Sequence, residues 1–85
     1  MSDLIILKWT LKSDPSCWQT VFSCYRDISS LQTIAIMLHK SGICGSIKIV
    51  SDTATLIEDW SKGYARTSTA VFNEEMKEAL GNNEA

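Results

Sequence analysis

Two short segments, DLIILKWTLK at 3–12 and ICGSIKIV at 43–50, place their side chains with a period of two. In the first, Ile5, Leu7, Trp9 and Leu11 fall on one side, and Leu4, Ile6, Lys8, Thr10 and Lys12 on the other. In the second, Ile43, Gly45, Ile47 and Ile49 face one way, and Cys44, Ser46, Lys48 and Val50 the other. A period of two with β-branched residues is that of a strand with one buried face. Each segment therefore predicts a strand that sets an apolar face against a lysine-bearing one. Helices should cover only one side of the resulting sheet.

The rest of the chain reads as mostly helical. Ser13-Asp14-Pro15 offers a capping residue and a proline suited to a first helical turn. A helix is expected over about 15–26, with Trp18, Val21 or Phe22, and Tyr25 at helical spacing. A second, at 30–40, follows Ser29-Ser30 and carries Leu31, Ile34, Ala35, Met37 and Leu38. Lys40 suits its negative end and Gly42 the left-handed position beyond it. A third, at 53–63, has Thr55 and Glu58 at capping-box spacing and Leu56, Ile57 and Trp60 as its apolar stripe. A last helix over 72–80 carries Phe72, Met76 and Leu80 four apart and stops at Gly81.

Residues 64–72, YARTSTAVF, read two ways: threonine and valine favour a strand, whereas Ser68 suits a helix cap. A two-stranded sheet is marginal in water. A third strand at 64–71 is therefore favoured, the other solution being a sheet edge completed by another chain, as in a homodimer. The expected fold is α+β: a two- or three-stranded sheet with helices on one face. It forms one compact domain over 1–81, with a frayed tail at 82–85.

Eighty-five residues leave room for a single core, and 45% hydrophobic with 21% charged residues is a globular balance. A net charge of −2 is too weak to mark a nucleic-acid binder by overall charge. The charge is uneven, however. Five cations against three acids give +2 in residues 1–50, and three against seven give −4 in 51–85. Leu4 to Leu7 is too short for the core of an export signal, and no apolar stretch approaches membrane-spanning length. With three cysteines, an odd number, these features lead to the expectation of a reducing cytoplasm.

Catalytic and metal chemistry find little support. On the expected first helix, Cys17 and Cys24 are separated by a rise of about 10 Å. Thiolates sharing a zinc lie within about 4 Å of each other. The same separation excludes a disulfide between them. Gly42-Ile43-Cys44-Gly45-Ser46 resembles a phosphate-cradling loop only superficially, because a helix C-terminus precedes it where such loops offer an N-terminus. Cys44 has only His39 as a basic partner, and nothing in the sequence fixes their geometry. The acidic runs Glu58-Asp59 and Glu74-Glu75-Glu78 read as solvated helix surface. No catalytic residue, metal ligand or cofactor is expected.

Two surfaces are left. One is the uncovered sheet face with Lys8, Lys12 and Lys48, which could receive an acidic protein or a nucleic-acid backbone. Single-stranded nucleic-acid platforms also need aromatics on that face, and Trp9 has the opposite parity. The other follows the expected third helix, where Trp60 is assigned to the core and Tyr64 and Arg66 to partner contact. The resulting expectation is a small intracellular, non-enzymatic, protein-binding domain: a regulator, inhibitor or adaptor. The alternative is a nucleic-acid-binding module using the basic face. Size and scarcity of motifs resemble the small accessory proteins of phages and mobile elements, a likeness of type carried by no particular residues.

Overall fold

The computed structural model describes residues 4–81, so the expected frayed tail at 82–85 lies outside it. The elements are β1 (Leu4–Leu11), β2 (Asp14–Cys24), a single 3-10 turn (Tyr25–Asp27), α1 (Ile28–Ser41), β3 (Cys44–Ser51), β4 (Leu56–Asp59), β5 (Arg66–Thr67) and α2 (Ser68–Gly81). The strands form one antiparallel sheet in the order β2-β1-β3-β4-β5. The α+β class is thus as expected, but the sheet has five strands where two or three were predicted.

The two strands read from alternation are the central pair. Ile5, Leu7, Ile47 and Ile49 point to one side and pack on Leu31 and Ala35 of α1, each at most 1% exposed. Trp60 and Cys44 complete this cluster, and Trp9, Val21, Ile28, Ile34, Leu38 and Ile57 border it. Burying a large aliphatic side chain contributes about 1.5–3 kcal/mol, so this one layer carries most of the fold's apolar stabilisation. The helix expected at 30–40 is present, two residues longer at its start. It ends as read: Gly42 sits at φ 75° and donates its N–H to the His39 carbonyl at 3.1 Å.

The helix expected at 15–26 is instead the edge strand β2. Its partner is β1, with Thr10 opposite Trp18, Lys8 opposite Thr20 and Ile6 opposite Phe22. Trp18 and Phe22 are four apart, a spacing that fits one helix face and one strand face equally well. Leu11 pairs with Asp14, so residues 15–17 arch out of the ladder and Pro15 sits where no inter-strand donor is needed.

The helix expected at 53–63 is a hairpin. Ser51 organises the turn: its Oγ accepts from the Thr53 and Thr55 amides at 3.3 and 3.1 Å. Ala54 takes a left-handed φ of 66°, which closes the turn and leads into β4. The strand expected at 64–71 shrinks to Arg66–Thr67. Helix α2 then starts at Ser68, with the Thr67 hydroxyl capping the Ala70 amide at 3.2 Å.

Only α1 lies over the apolar sheet face. Helix α2 packs beside β4 and β5, and none of its residues joins the core cluster. Its stripe of Phe72, Met76 and Leu80 is consequently 60%, 45% and 58% exposed.

A bulge in β3 corrects one face assignment. Trp9 pairs with Ile47 but Leu11 with Cys44, so one extra residue lies in β3 between them. Its parity change puts Cys44 in the core, not beside Lys48. Thr10, 1% exposed, accepts from the Ser46 amide at 3.2 Å and satisfies the donor that the bulge frees.

Candidate interaction surface

The face of the sheet away from α1 is built in rungs that the register dictates, because directly paired residues share a face. One rung runs Phe22, Ile6, Val50, Leu56 across β2, β1, β3 and β4. The next runs Thr20, Lys8, Lys48, Asp59, Arg66 across all five strands. A third sets Trp18 beside Thr10. Phe22 is 59% and Trp18 40% exposed.

Lys8 and Lys48 are direct cross-strand partners, an arrangement of like charges that costs stability. Both ammoniums lie over one ring: Lys8 Nζ is 4.6 Å and Lys48 Nζ 5.9 Å from the centre of Trp18. A ring face attracts cations, so Trp18 offsets part of their repulsion. Among the described residues neither lysine takes part in an ion pair. Lys12 stands in the exposed turn between β1 and β2, its amide bonded to the Ile43 carbonyl at 2.9 Å.

The sequence-predicted pair Tyr64 and Arg66 is divided. Tyr64 is 52% exposed in the loop before β5. The side chain of Arg66 is 11% exposed and lies at the end of the lysine rung. It bridges Asp59 at 3.4 Å and donates to Glu74 of α2. Burial pulls the Arg66 pKa down, but its hydrogen bond to Glu74 and the charges of Asp59 and Glu74 outweigh it and raise the pKa. Arg66 thus ties α2 to β4, and its Nε is buried without a partner among the described residues.

The run Glu58-Asp59 lies on strand β4 and is less solvated than its sequence suggests, whereas Glu75 and Glu78 are exposed on helix α2 as expected. Asp59, 6% exposed, also accepts from the Ser61 amide at 2.8 Å. Glu58 faces α1, where it accepts from Gln32 at 3.0 and 3.2 Å and from the Trp60 indole at 3.0 Å. That contact explains why Trp60, assigned to the core from sequence, sits there at 7% exposure with its N–H satisfied.

The imagined cysteine chemistry is not assembled. Cys17 and Cys24 are exposed at opposite ends of β2, Cys17 in the arch at 15–17 and Cys24 opposite Leu4. Cys44 is buried and His39 exposed. No group of three or more His, Cys, Asp or Glu side chains able to hold a metal, and no cavity, occurs among the described residues. None of their helices is long and apolar enough to cross a membrane.

Sequence reasoning missed Trp18 and Phe22 as members of this surface. The signal was their even spacing from each other, legible only once 15–24 is taken as a strand. No known protein family matches the sequence, and no curated protein or solved structure shows significant similarity to the chain.

Proposed function

We propose that this chain is a non-enzymatic, intracellular protein-binding domain, a regulator, inhibitor or adaptor. In this reading its open sheet face receives a protein segment carrying both carboxylates and apolar side chains. The observation that carries it is the juxtaposition of Lys8 and Lys48 over Trp18, next to the apolar rung of Phe22, Ile6, Val50 and Leu56. A flat face with an aromatic anchor, a few cations and adjoining aliphatic surface matches the composition of protein interfaces. Carboxylates docking on the lysine rung would relieve the Lys8–Lys48 repulsion, and apolar side chains would cover Phe22 and the half-buried Ile6 and Leu56 that flank the buried Val50. Tyr64 stands available as a peripheral contact.

One observation favours a second reading. Trp18 and Phe22 supply the exposed aromatics that a single-stranded nucleic-acid platform needs, on the same face as the lysines. Against it, the rung beside the lysines is apolar across four strands, and Glu74, Glu75 and Glu78 on α2 repel a phosphate chain leaving toward β5.

The test is capture on the tagged chain from its native lysate, with and without nuclease. Wild type is compared with Lys8→Glu/Lys48→Glu and with Phe22→Ser. A protein retained after nuclease and lost with both variants supports the proposal. Retention by both variants places the site elsewhere. Capture abolished by nuclease, with direct and steeply salt-dependent binding of an oligothymidylate, establishes the second reading instead.

A further inference from the structure

We infer that the acidic, partly apolar segment received by the open sheet face is helix α2 of a second copy of this chain. The inference rests on the proposed function in taking that face as an acceptor, and goes beyond it in naming the occupant.

Helix α2 is held to its own body by one side of its first half. Ala70, Val71 and Glu74 are half-buried, and Glu74 accepts from the Arg66 guanidinium. Phe72, Asn73 and every residue from Glu75 to Leu80 are exposed. At 3.6 residues per turn, Phe72, Met76 and Leu80 form one stripe on the side away from Val71 and Glu74. Most helical stability in proteins comes from packing an apolar face, and this one is left open among the described residues.

The two flanks of the stripe differ in charge. Glu75, with Glu78 behind it, runs along one flank, and Asn73 and Lys77 lie along the other. The sheet face is two-sided in the same sense. Its apolar surface comes from Phe22 and the half-buried Ile6 and Leu56, and Lys8 lies two residues beyond Ile6, with Lys48 beside it. Two residues of strand span about 7 Å, close to the radius of about 5–6 Å of a helix with its side chains. A helix laid across the strands with its stripe on the apolar rung therefore carries its acidic flank to the lysines and turns Lys77 away from them. The opposite helix direction would bring Lys77 to the lysines, so charge selects one direction. Three stripe residues at intervals of about 6 Å match three strands about 4.8 Å apart. The register is unbroken over this area: Thr20–Phe22 of β2, Ile6–Lys8 of β1 and Lys48–Val50 of β3 pair without a shift. Trp18 stands on the far side of the lysine rung, so its ring bounds the site and leaves the apolar rung free.

The experiment is sedimentation equilibrium of the full chain at low and high salt, followed by mixing of variants. The face variant is Lys8→Glu/Lys48→Glu, the helix variant Phe72→Gln/Met76→Gln, and the flank variant Glu75→Lys/Glu78→Lys. Wild type self-associates, less so as salt rises. The face and helix variants each lose association several-fold. Mixed together they form a one-to-one complex that neither forms with itself, because the intact α2 of one meets the intact face of the other. Joining the face and flank changes in one chain restores association. A wild-type chain that stays monomeric up to its solubility limit overturns the inference, and so does a mixture that fails to associate. A face variant that associates like wild type overturns it as well, because α2 stripes then pair with each other. A monomeric chain that still captures a nuclease-resistant partner through Lys8 and Lys48 overturns this inference alone and leaves the proposed function standing. Circular dichroism of every variant confirms that the fold is retained in those compared.

Discussion

Replacing Arg66 with methionine keeps the aliphatic stem and removes the charge that holds three elements together. Its partner Asp59 is 9% exposed at the side chain and would keep only the Ser61 amide at 2.8 Å. Breaking a buried ion pair by removing one partner costs about 3–5 kcal/mol. The retained hydrogen bond and residual exposure lower the expectation here to about 2–3 kcal/mol. At about 2.1 cal/mol/K per residue of unfolding entropy, each kcal/mol is worth about 5–6 °C for a chain of this size. Arg66→Met should therefore lower Tm by roughly 10–17 °C, read by circular dichroism. Glu74→Gln, whose side chain is 40% exposed, should cost under about 1 kcal/mol. The double variant Asp59→Asn/Arg66→Met should lose less than the two single losses combined, because each single change strands the other's partner. A Tm drop under about 5 °C for Arg66→Met, or strict additivity in the cycle, would refute the view that the buried Arg66–Asp59 pair stabilises this end of the sheet.

Three further outcomes follow from single contacts. Asp27 accepts from Ser30 at 2.6 Å and Ser23 at 2.9 Å, which lower its pKa, so its stabilisation is full above the ordinary carboxylate range and fades as pH falls through the lowered value; Asp27→Asn should flatten the acid limb of a Tm-versus-pH curve. Cys17 and Cys24 are exposed and Cys44 buried, so a thiol reagent should titrate two groups rapidly in the native protein and the third only at the rate of unfolding. Ala54 holds φ at 66°, and Ala54→Gly should raise stability by about 0.5–1 kcal/mol in denaturant titrations, the relief of left-handed strain exceeding the added chain entropy.

What the sequence disclosed follows from burial. β1 and β3 each bury one face fully, so their alternation is enforced residue by residue, and α1 is enforced by Leu31 and Ala35 against them. β2 lies at an edge where most side chains are exposed, and no apolar-polar alternation marks it. Its hairpin also lacks a recognisable turn. The connection is Lys12-Ser13, with neither at positive φ, and it works through the arch at 15–17 instead of an Asn-Gly pair. The β3–β4 turn hides in the same way, because Ala54 occupies the left-handed position that glycine or asparagine would announce. On the candidate surface, Lys8 and Lys48 were legible because they belong to the alternating strands. Trp18 and Phe22 were not, and Arg66 read as an anchor because its carboxylate partners come from β4 and α2.

The correction at β2 also changes the physics of the lysine face. On two strands alone, Lys8 and Lys48 would be a bare like-charge pair, explained as well by solubility as by binding. Adding β2 brings the Trp18 ring within 4.6 and 5.9 Å of the two ammoniums. A ring that neutralises nothing but attracts both cations holds them together at the surface without cancelling their charge, whereas a carboxylate in its place would cancel one of the two charges. Asp59, the next residue on the rung, could have played that part for Lys48, but its carboxylate is turned to Arg66 and Ser61. The arrangement therefore concentrates positive potential beside the apolar rung and spends the nearest negative charge on anchoring α2, which is the charge distribution an acidic, partly apolar partner segment requires.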